Sequence, residues 1–398
     1  SSGPDGEKEK EEFISRSTYV SGQYGSPDDM GKLHNILLDL ERENQGPRAD
    51  RIFYFAIPPF AFADAAAAIG TRAMVRSGGY NRMVIEKPFG HDLDSYNALA
   101  ANLSKYFAEE QMYRIDHYLG KEMVQNLMAL RFANSVFEPL WNNNHITSVQ
   151  ITFKEDIGTE GRGGYFDKYG IIRDVMQNHL TQIVSLVAME PPVSTSAEHV
   201  RDEKVKVLQS MDPIRMEDIV LGQYVKGQDG KPGYLDDDTV PQDSTVPTFA
   251  LVVAYINNRR WDGVPFILKC GKALNERKAE IRIQFKKVPG KLFESSSPNE
   301  LVMRVQPDEA VYLKVTAKVP GFSLETAQTE LDLSYKSRYA DTRLPDAYER
   351  LIFDVIRGDH SLFVRHDELA AAWGVFSPML QQLEENKVPP IKYERGSR

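Results

Sequence analysis

The sequence predicts a Rossmann-like, doubly wound α/β domain that is incomplete at its N-terminus, followed by a larger α+β domain with a large mixed, mostly antiparallel sheet. Between residues 51 and 115, apolar strand-like runs alternate with helix-like runs, which is the pattern of repeated β-α-β units. After about residue 140, β-branched and aromatic runs separated by Pro, Gly and Asp turns predominate. We therefore place the first domain at residues 1–116 and the second at residues 117–398.

Strands and helices alternate in the first domain. The predicted elements are the strand Arg51–Ile57, the helix Phe60–Val75, the strand Asn81–Glu86, the helix Leu93–Phe107 and the strand Gln111–Ile115. The first of these strands is apolar at nearly every position, which predicts that it is buried on both faces of a parallel sheet.

The usual phosphate-binding turn of a dinucleotide fold is missing. No strand, G-x-G-x-x-G and helix occur in that order before Arg51. The glycines within residues 158–164 have neither that spacing nor that setting, so we interpret them as a loop. Because the sequence also starts without methionine, we expect a fragment that lacks the first strands and the residues that distinguish NADP from NAD.

The second domain is predicted to be rich in strands and to close with helices. The predicted strands are His145–Phe153, Thr248–Ile256, Val264–Cys270, Glu280–Lys286, Glu300–Val305 and Ala310–Lys318. The predicted helices are Tyr169–Met189, Pro345–Ile356, His366–Phe376 and Ser377–Asn386.

The composition excludes several classes of protein. A net charge of -9 and a pI near 5.5 argue against nucleic acid as a main partner. No apolar run reaches the length of a membrane span, and no signal peptide is recognisable, so we predict a cytoplasmic protein without a membrane partner. The single cysteine, Cys270, lies in an apolar run and is predicted to be a buried small hydrophobe in a reducing compartment.

The stretch Arg114-Ile-Asp-His-Tyr-Leu-Gly-Lys-Glu122 is the first candidate site. A strand-like run precedes it and an amphipathic run follows, so it is predicted to form a strand-to-helix turn. Ligands bind at the carboxyl ends of such strands, and free N–H groups at a helix start favour a phosphate. His117, Tyr118 and Lys121 would suit that phosphate, although an ordinary polar turn explains the same residues.

His179 is the strongest candidate for a general base, because a neutral imidazole accepts a proton at physiological pH. The alternative is a structural histidine held by a neighbour. Asp174 lies five residues earlier, and five residues of an α-helix turn through about 500°, which leaves the two side chains roughly 140° apart. We therefore expect Asp116 to orient His179, with Asp174 free to hold a substrate hydroxyl.

A second basic cluster contains Lys269, Lys272, Arg277 and Lys278. Four cations in ten residues after a buried strand could clamp an anion, and a solvated surface loop is an equally good interpretation. No metal-ligand spacing occurs anywhere in the chain, so no metal is predicted.

Several separated motifs closely resemble the glucose-6-phosphate dehydrogenase family, over a match that runs from about Tyr19 to the end. The motifs are Glu86-Lys-Pro-Phe-Gly90, the stretch 114–122, Gly170-Ile-Ile-Arg-Asp-Val-Met-Gln-Asn-His179, Trp261-Asp-Gly-Val-Pro-Phe266 and Gly271-Lys-Ala-Leu-Asn-Glu-Arg-Lys278. The resemblance implies oxidation of glucose 6-phosphate at C1 to the 6-phospho-lactone with hydride transfer to NADP, the first step of the oxidative pentose phosphate pathway.

The resemblance also implies a role for each matching residue. It makes His179 the catalytic base and Asp116 its dyad partner. It implies substrate contacts for Lys87, His117, Tyr118, Lys121, Glu155, Asp174, Lys272, Arg277 and Gln306. Lys87 and Pro88 would contact the catalytic NADP, and the bond into Pro88 would be cis.

Two further expectations follow from the family. Some relatives bind a second, structural NADP, and the residues that match part of that site are Lys154, Lys278, Arg282, Arg304, Tyr312 and Lys314. The family also implies a homo-oligomer, either a dimer or a tetramer. The alternative hypothesis is a truncated, catalytically silent chain that binds sugar phosphate or forms oligomers.

Overall fold

A computed structural model describes residues 4–44, 49–76, 78–228, 230–290, 292–293, 297–339 and 341–398. Up to residue 132 the elements are α1 (Pro4–Ser15), α2 (Pro27–Asn44), β1 (Arg51–Phe55), α3 (Phe62–Arg72), β2 (Asn81–Ile85), α4 (Leu93–Leu103), β3 (Met112–Arg114) and α5 (Glu122–Phe132). Strands β1, β2 and β3 form a three-stranded sheet in that order. The alternation predicted for the first domain is confirmed, whereas α1 and α2 had no counterpart in the sequence prediction.

The remaining elements build the second part of the chain. They are β4 (Ile146–Lys154), α6 (Gly163–Phe166), a π-helical segment (Ile172–Leu180), α7 (Thr181–Ala188), α8 (Ala197–Gln209), β5 (Ile219–Val225), β6 (Phe249–Ala254), β7 (Phe266–Gly271), β8 (Lys278–Phe285), β9 (Glu300–Gln306), β10 (Ala310–Lys318), β11 (Thr326–Ser334), α9 (Tyr335–Arg338), α10 (Ala347–Arg357), α11 (His366–Asn386) and β12 (Ile391–Glu394). No helix among the described residues is long and apolar enough to cross a membrane.

The chain divides into two compact units. One consists of residues 1–84 and 101–112, and the other of residues 85–100 and 113–398. The second unit contains a nine-stranded sheet with the order β11-β10-β9-β8-β4-β7-β6-β5-β12. Two of its strand pairs, β4 with β7 and β12 with β5, are parallel, and the other pairs are antiparallel. The predicted mixed, mostly antiparallel sheet is therefore confirmed.

The prediction that β1 is buried on both faces is wrong. Its side chains alternate, with Phe53 and Phe55 buried but Ile52 and Tyr54 exposed by 39% and 40%. Ile52 and Tyr54 line an open groove of about 1090 Å³ together with residues of α2 such as Leu37. The apolar run thus predicted the strand correctly, but it did not show which face of that strand is buried.

The helix that carries His179 is firmly held at its C-terminal end. The carbonyl groups of residues 186–189, which have no partner within the helix, all accept hydrogen bonds from buried side chains. Arg131 donates to the carbonyls of residues 186 and 189 at 2.9 and 2.8 Å. The indole N–H groups of Trp141 and Trp261 donate to those of residues 187 and 188, each at 2.8 Å. These bonds leave little freedom for the segment that precedes them.

The two predicted C-terminal helices form one continuous helix, α11, with Pro378 inside it. A proline normally interrupts a helix because it lacks an N–H group and crowds the preceding turn. Here Trp373 and Phe376 before the proline and Met379 after it are all buried, so tertiary packing holds both halves in one helix. The sequence break was therefore wrongly interpreted as a helix end.

Candidate active site

The stretch 114–122 forms the predicted strand-to-helix turn. β3 ends at Arg114, a single 3-10 turn spans residues 117–120, and α5 starts at Glu122. The Asp116 carboxylate caps this turn by accepting a hydrogen bond from the Tyr118 backbone N–H at 3.0 Å. Gly120 is required by packing, because a Cβ there would lie 2.6 Å from the carbonyl oxygen of Ala347 in α10. The turn is thus fixed from both sides.

Asp116 and His179 form a buried pair within the second unit. Asp116 Oδ1 lies 2.6 Å from His179 Nδ1, and each side chain is only 3% exposed. A carboxylate can only accept at this distance, so Nδ1 carries the proton and Nε2 keeps its lone pair for another partner. Burial alone would raise the pKa of Asp116, but the electrostatic interaction with His179 and the hydrogen bond from it outweigh burial and lower that pKa. Asp116 is therefore ionised and orients the imidazole.

The surroundings of both imidazoles of the site lower their pKa values and so favour their neutral forms. Burial lowers the pKa of His179; Asp116 opposes this shift, and the nearby charge of Lys87 adds to it. Burial, followed by the proximity of His179, lowers the pKa of His117 from 6.5 to about 3. A neutral His179 with a free Nε2 is able to accept a proton from a bound alcohol.

The helical arithmetic that separated Asp174 from His179 is wrong, although the conclusion that Asp116 contacts His179 agrees with the structure. Residues 172–180 form a π-helix, in which residue i bonds to residue i+5. That spacing places Asp174 and His179 on the same side of the helix, one turn apart. The charge of Asp174 accordingly acts on the pKa of His179. The sequence alone could not reveal this, because π-helical segments have no simple residue pattern.

Alternating cations and carboxylates lie beside the dyad. Lys87 Nζ donates to the Asp174 carbonyl at 2.6 Å and to its carboxylate at 3.2 Å. Lys272 Nζ lies 2.5 Å from the Glu155 carboxylate and 3.7 Å from that of Asp174. These four side chains line a pocket of about 280 Å³ together with Pro88. The sequence-predicted substrate residues Lys87, Glu155, Asp174 and Lys272 are thus brought together, and the Lys87–Pro88 bond is cis, as the resemblance implied.

The proposed phosphate residues also lie close to His179. The His117 ring packs edge-to-face on His179 with centroids 4.6 Å apart, and the Tyr118 ring stacks on it at the same distance. Tyr118 is buried, and its hydroxyl makes no hydrogen bond to the described residues. Lys121 Nζ lies 5.2 Å from the centre of the Tyr118 ring. The Tyr118 hydroxyl, the His117 imidazole and the Lys121 ammonium thus lie around His179.

Two predicted substrate residues, Arg277 and Gln306, are not placed against the dyad. Arg277 is exposed, but its charge contributes, after burial, to the lowered pKa of Lys121, so the two cations are neighbours. Gln306 is half-buried at the end of β9, opposite Ala279 of β8. Among the described residues neither side chain contacts the dyad, and their assignment rests on the resemblance.

Sequence reasoning missed two residues near the dyad. The ring of Tyr348, in α10, stacks on His117 with centroids 5.8 Å apart and an angle of 10°, and its hydroxyl donates to Glu86 at 3.4 Å. Asn178 donates hydrogen bonds to the carbonyls of Arg173 and Asp174 and accepts one from the backbone N–H of His179. Neither residue lies in a pattern that marks function, although Asn178 directly precedes His179 in a quoted motif.

The six residues that match a structural NADP site share one face of the large sheet. Directly opposed residues of neighbouring strands lie on the same face, and the register pairs Lys154 with Lys278, Glu280 with Arg304, and Lys314 with Glu300. Arg282 and Tyr312 are both opposite Val302. On this face Arg282 pairs with Glu280 and Glu300 at 2.8 and 2.5 Å. The set is therefore contiguous and rich in cations.

Asp116, His117 and His179 are also the one group in the described residues that could hold a metal ion, with candidate ligand atoms within 4.8 Å of one another. His179 Nδ1 is already bonded to Asp116, and the charge of Lys87 acts on both imidazoles. A neighbouring ammonium opposes a bound cation. The group is better suited to acid–base chemistry than to metal binding.

The fold and the site together define a class. A buried carboxylate–imidazole pair beside lysines and further carboxylates is suited to general acid–base chemistry on a polar substrate. Family models described as "Glucose-6-phosphate dehydrogenase, NAD binding domain" and "Glucose-6-phosphate dehydrogenase, C-terminal domain" match residues 2–126 and 128–398. The chain belongs to the glucose-6-phosphate dehydrogenase family of oxidoreductases.

Named relatives and solved structures agree with this membership. The chain is 56% identical to glucose-6-phosphate 1-dehydrogenase of Dictyostelium discoideum over 98% of its length and 80% of the relative's. It is 54% identical to the cytoplasmic isoform of Solanum tuberosum over 100% of the chain and 78% of the relative. A solved glucose-6-phosphate dehydrogenase in complex with its substrate glucose-6-phosphate is 49% identical, with a TM-score of 0.94, and the match covers 100% of this chain and 83% of that one.

Charge substitutions around His179 should move its pKa in opposite directions. Asp116→Asn removes the carboxylate that raises this pKa, so the NMR titration midpoint of ¹³C-labelled His179 should fall below that of the unmodified protein. Lys87→Met removes a cation that lowers it, so the midpoint should rise. Asp212→Asn, a carboxylate that instead accepts a hydrogen bond from Asn257, serves as the control and should leave the midpoint unchanged. Shifts of the same sign in the first two variants would contradict the geometry.

Proposed function

We propose that this chain oxidises glucose 6-phosphate at C1 to the 6-phospho-lactone with NADP as the hydride acceptor, in the cytoplasm and as a homo-oligomer. The observation that carries the proposal is the 2.6 Å contact between Asp116 Oδ1 and His179 Nδ1, which leaves Nε2 without a hydrogen bond to the described residues, beside four side chains suited to sugar hydroxyls. We assign residues 1–116 to partial nucleotide binding and residues 117–398 to substrate binding and oligomer formation. Sedimentation velocity would distinguish a dimer or tetramer from a monomer.

The proposed reaction needs one proton acceptor and one hydride acceptor. His179 Nε2 takes the proton of the C1 hydroxyl, while Asp116 stabilises the imidazolium that forms. Lys87 and Pro88 would hold the nicotinamide, which would supply the hydride acceptor for C1. Lys87 and Pro88 fit the cofactor's position, because they line the 280 Å³ pocket that also contains Asp174. Asp174 and Glu155 would accept hydrogen bonds from the remaining sugar hydroxyls.

The phosphate would bind to His117, Tyr118 and Lys121, with Lys272, Arg277 and Gln306 contributing further substrate contacts. The Tyr118 hydroxyl has no partner among the described residues, and a phosphate oxygen would supply one. Burial holds the pKa of Lys121 below its usual value, and a bound dianion would raise it by stabilising the ammonium form. Binding energy from this remote group would orient C1 towards His179.

His179→Asn should reduce kcat by about 10²- to 10⁴-fold, because the proton acceptor is lost while the binding residues remain. The KM for glucose 6-phosphate should change little. His145→Asn, a change at an exposed histidine, is the control and should leave both constants unchanged. The measurement is NADP reduction with glucose 6-phosphate; near-normal turnover in the first variant would remove His179 from its role.

The same assay distinguishes the proposed enzyme from the alternative hypothesis, a catalytically silent chain. A catalytically silent chain would bind glucose 6-phosphate in calorimetry yet give no NADP reduction even without any substitution. Turnover by the unmodified chain would exclude that alternative.

Lys121→Ala should raise the KM for glucose 6-phosphate far more than the KM for free glucose, since only the former carries the phosphate that Lys121 would bind. Lys269→Ala is the matched control, because Lys269 Nζ instead lies 5.6 Å from the centre of the Phe249 ring. Steady-state kinetics with both sugars measure the effect. Equal changes for the two sugars would contradict the phosphate assignment.

We further propose that Lys154, Lys278, Arg282, Arg304, Tyr312 and Lys314 bind a second NADP. The support is their common face, on which Lys278, Arg282 and Lys314 share the two carboxylates Glu280 and Glu300, while Lys154 pairs with Glu276. NADP should then raise the Tm of the unmodified chain, and Lys314→Ala should reduce that rise. Lys318→Ala, on the same face of the same strand, is the control; an equal loss in both variants would contradict the site.

A further inference from the structure

The side chain of Asn178 makes hydrogen bonds to the backbone of the π-helical segment that carries His179. In a π-helix the backbone bonds run from residue i to residue i+5, and the Thr181 N–H contacts the carbonyl of Met176 as well as that of Asn178. Such segments are rare and are less favourable than an α-helix, so they persist where other groups stabilise them. Asn178 supplies such groups at the centre of this segment.

Asn178 is bonded to the backbone in both directions. Its amide Nδ2 donates to the carbonyl of Arg173 at 3.0 Å and to that of Asp174 at 3.1 Å. Its Oδ1 accepts from the backbone N–H of His179 at 2.7 Å. One side chain therefore ties the turn that bears Asp174 to the residue that bears the imidazole.

The geometry of the proposed substrate site depends on this register. The i to i+5 spacing places Asp174 and His179 on one side of the helix, so one sugar ring can contact both. An α-helical register would separate them by roughly 140°. His179 is then fixed at two points, its ring by Asp116 and its backbone N–H by Asn178.

We propose that Asn178 is a positioning residue that maintains the π-helical register and thereby aligns His179 with the C1 hydroxyl. The proposal rests on the proposed function for its catalytic consequence. Asn178 acts through the backbone of its neighbours and is assigned no contact with the substrate. Its loss should therefore reduce the rate of proton transfer more than the affinity for the sugar phosphate.

The chain offers a matched control in Asn134, at the end of α5. Its amide Nδ2 donates to the carbonyls four and five residues earlier, Leu130 at 3.1 Å and Ala129 at 3.3 Å. This is the same pattern that Asn178 makes with Asp174 and Arg173. Asn134 is exposed and follows an ordinary α-helix, so its replacement removes the same type of bond without touching the dyad.

Asn178→Ala should lower kcat by about 10- to 100-fold, as expected when a catalytic group is displaced by about 1 Å. The KM for glucose 6-phosphate should change less than about threefold, a change worth under about 0.7 kcal/mol. Asn134→Ala should change neither constant. Asn178→Asp retains the shape but places a carboxylate against two carbonyls, so it should show the same loss of kcat and keeps the test valid if the alanine variant does not fold.

A second readout does not require turnover. NMR of labelled histidine should detect the His179 Nδ1 proton that is hydrogen-bonded to Asp116 in the unmodified chain and in Asn134→Ala. In Asn178→Ala or Asn178→Asp that signal should shift or broaden. Failure of the unmodified chain to reduce NADP would contradict the proposed function alone. An unchanged His179 signal, or a kcat within threefold of the unmodified chain's, would overturn the role of Asn178.

Discussion

The site depends on the hydrogen bond between Asp116 and His179. It joins the turn after β3 to a helix 63 residues further along the chain, and both side chains are almost completely buried. The other carboxylate oxygen of Asp116 makes no hydrogen bond to the described residues. The Asp116 charge is therefore stabilised by His179 and by one backbone N–H. Because the same carboxylate orients the imidazole and caps the turn, a change in one should also affect the other.

The charged side chains around this bond are arranged so that a neutral hydroxyl can enter without leaving an ion unpaired. Lys87 and Lys272 contact Asp174 and Glu155, and a sugar hydroxyl can accept from an ammonium while donating to a carboxylate. A chain with a net charge of -9 repels anions at long range, so a phosphate must be recognised locally. In the proposed function, His117 and Lys121, both partly buried beside Tyr118, would provide such local recognition.

The sequence predicted the alternating first domain, the mixed sheet and the turn at residues 114–122, because hydrophobic periodicity and turn residues report on these features directly. It also led to Asp116 as the neighbour of His179, but by arithmetic for an α-helix that the π-helical segment invalidates. The exposure of Ile52 and the continuity of α11 across Pro378 depend on what packs against them, which no local pattern records. The contribution of Asn178 was missed for the same reason, since its value lies in backbone geometry.

The central claim is that one bound molecule places its C1 hydroxyl on His179 and its phosphate on the turn at residues 114–122. A crystal structure of this chain with glucose 6-phosphate tests it most directly. The account predicts a distance of about 2.6–3.2 Å from the C1 oxygen to His179 Nε2, with the phosphate against His117, Tyr118 and Lys121. A sugar bound in the reverse direction, with its phosphate beside Lys272 and C1 distant from His179, would contradict the account.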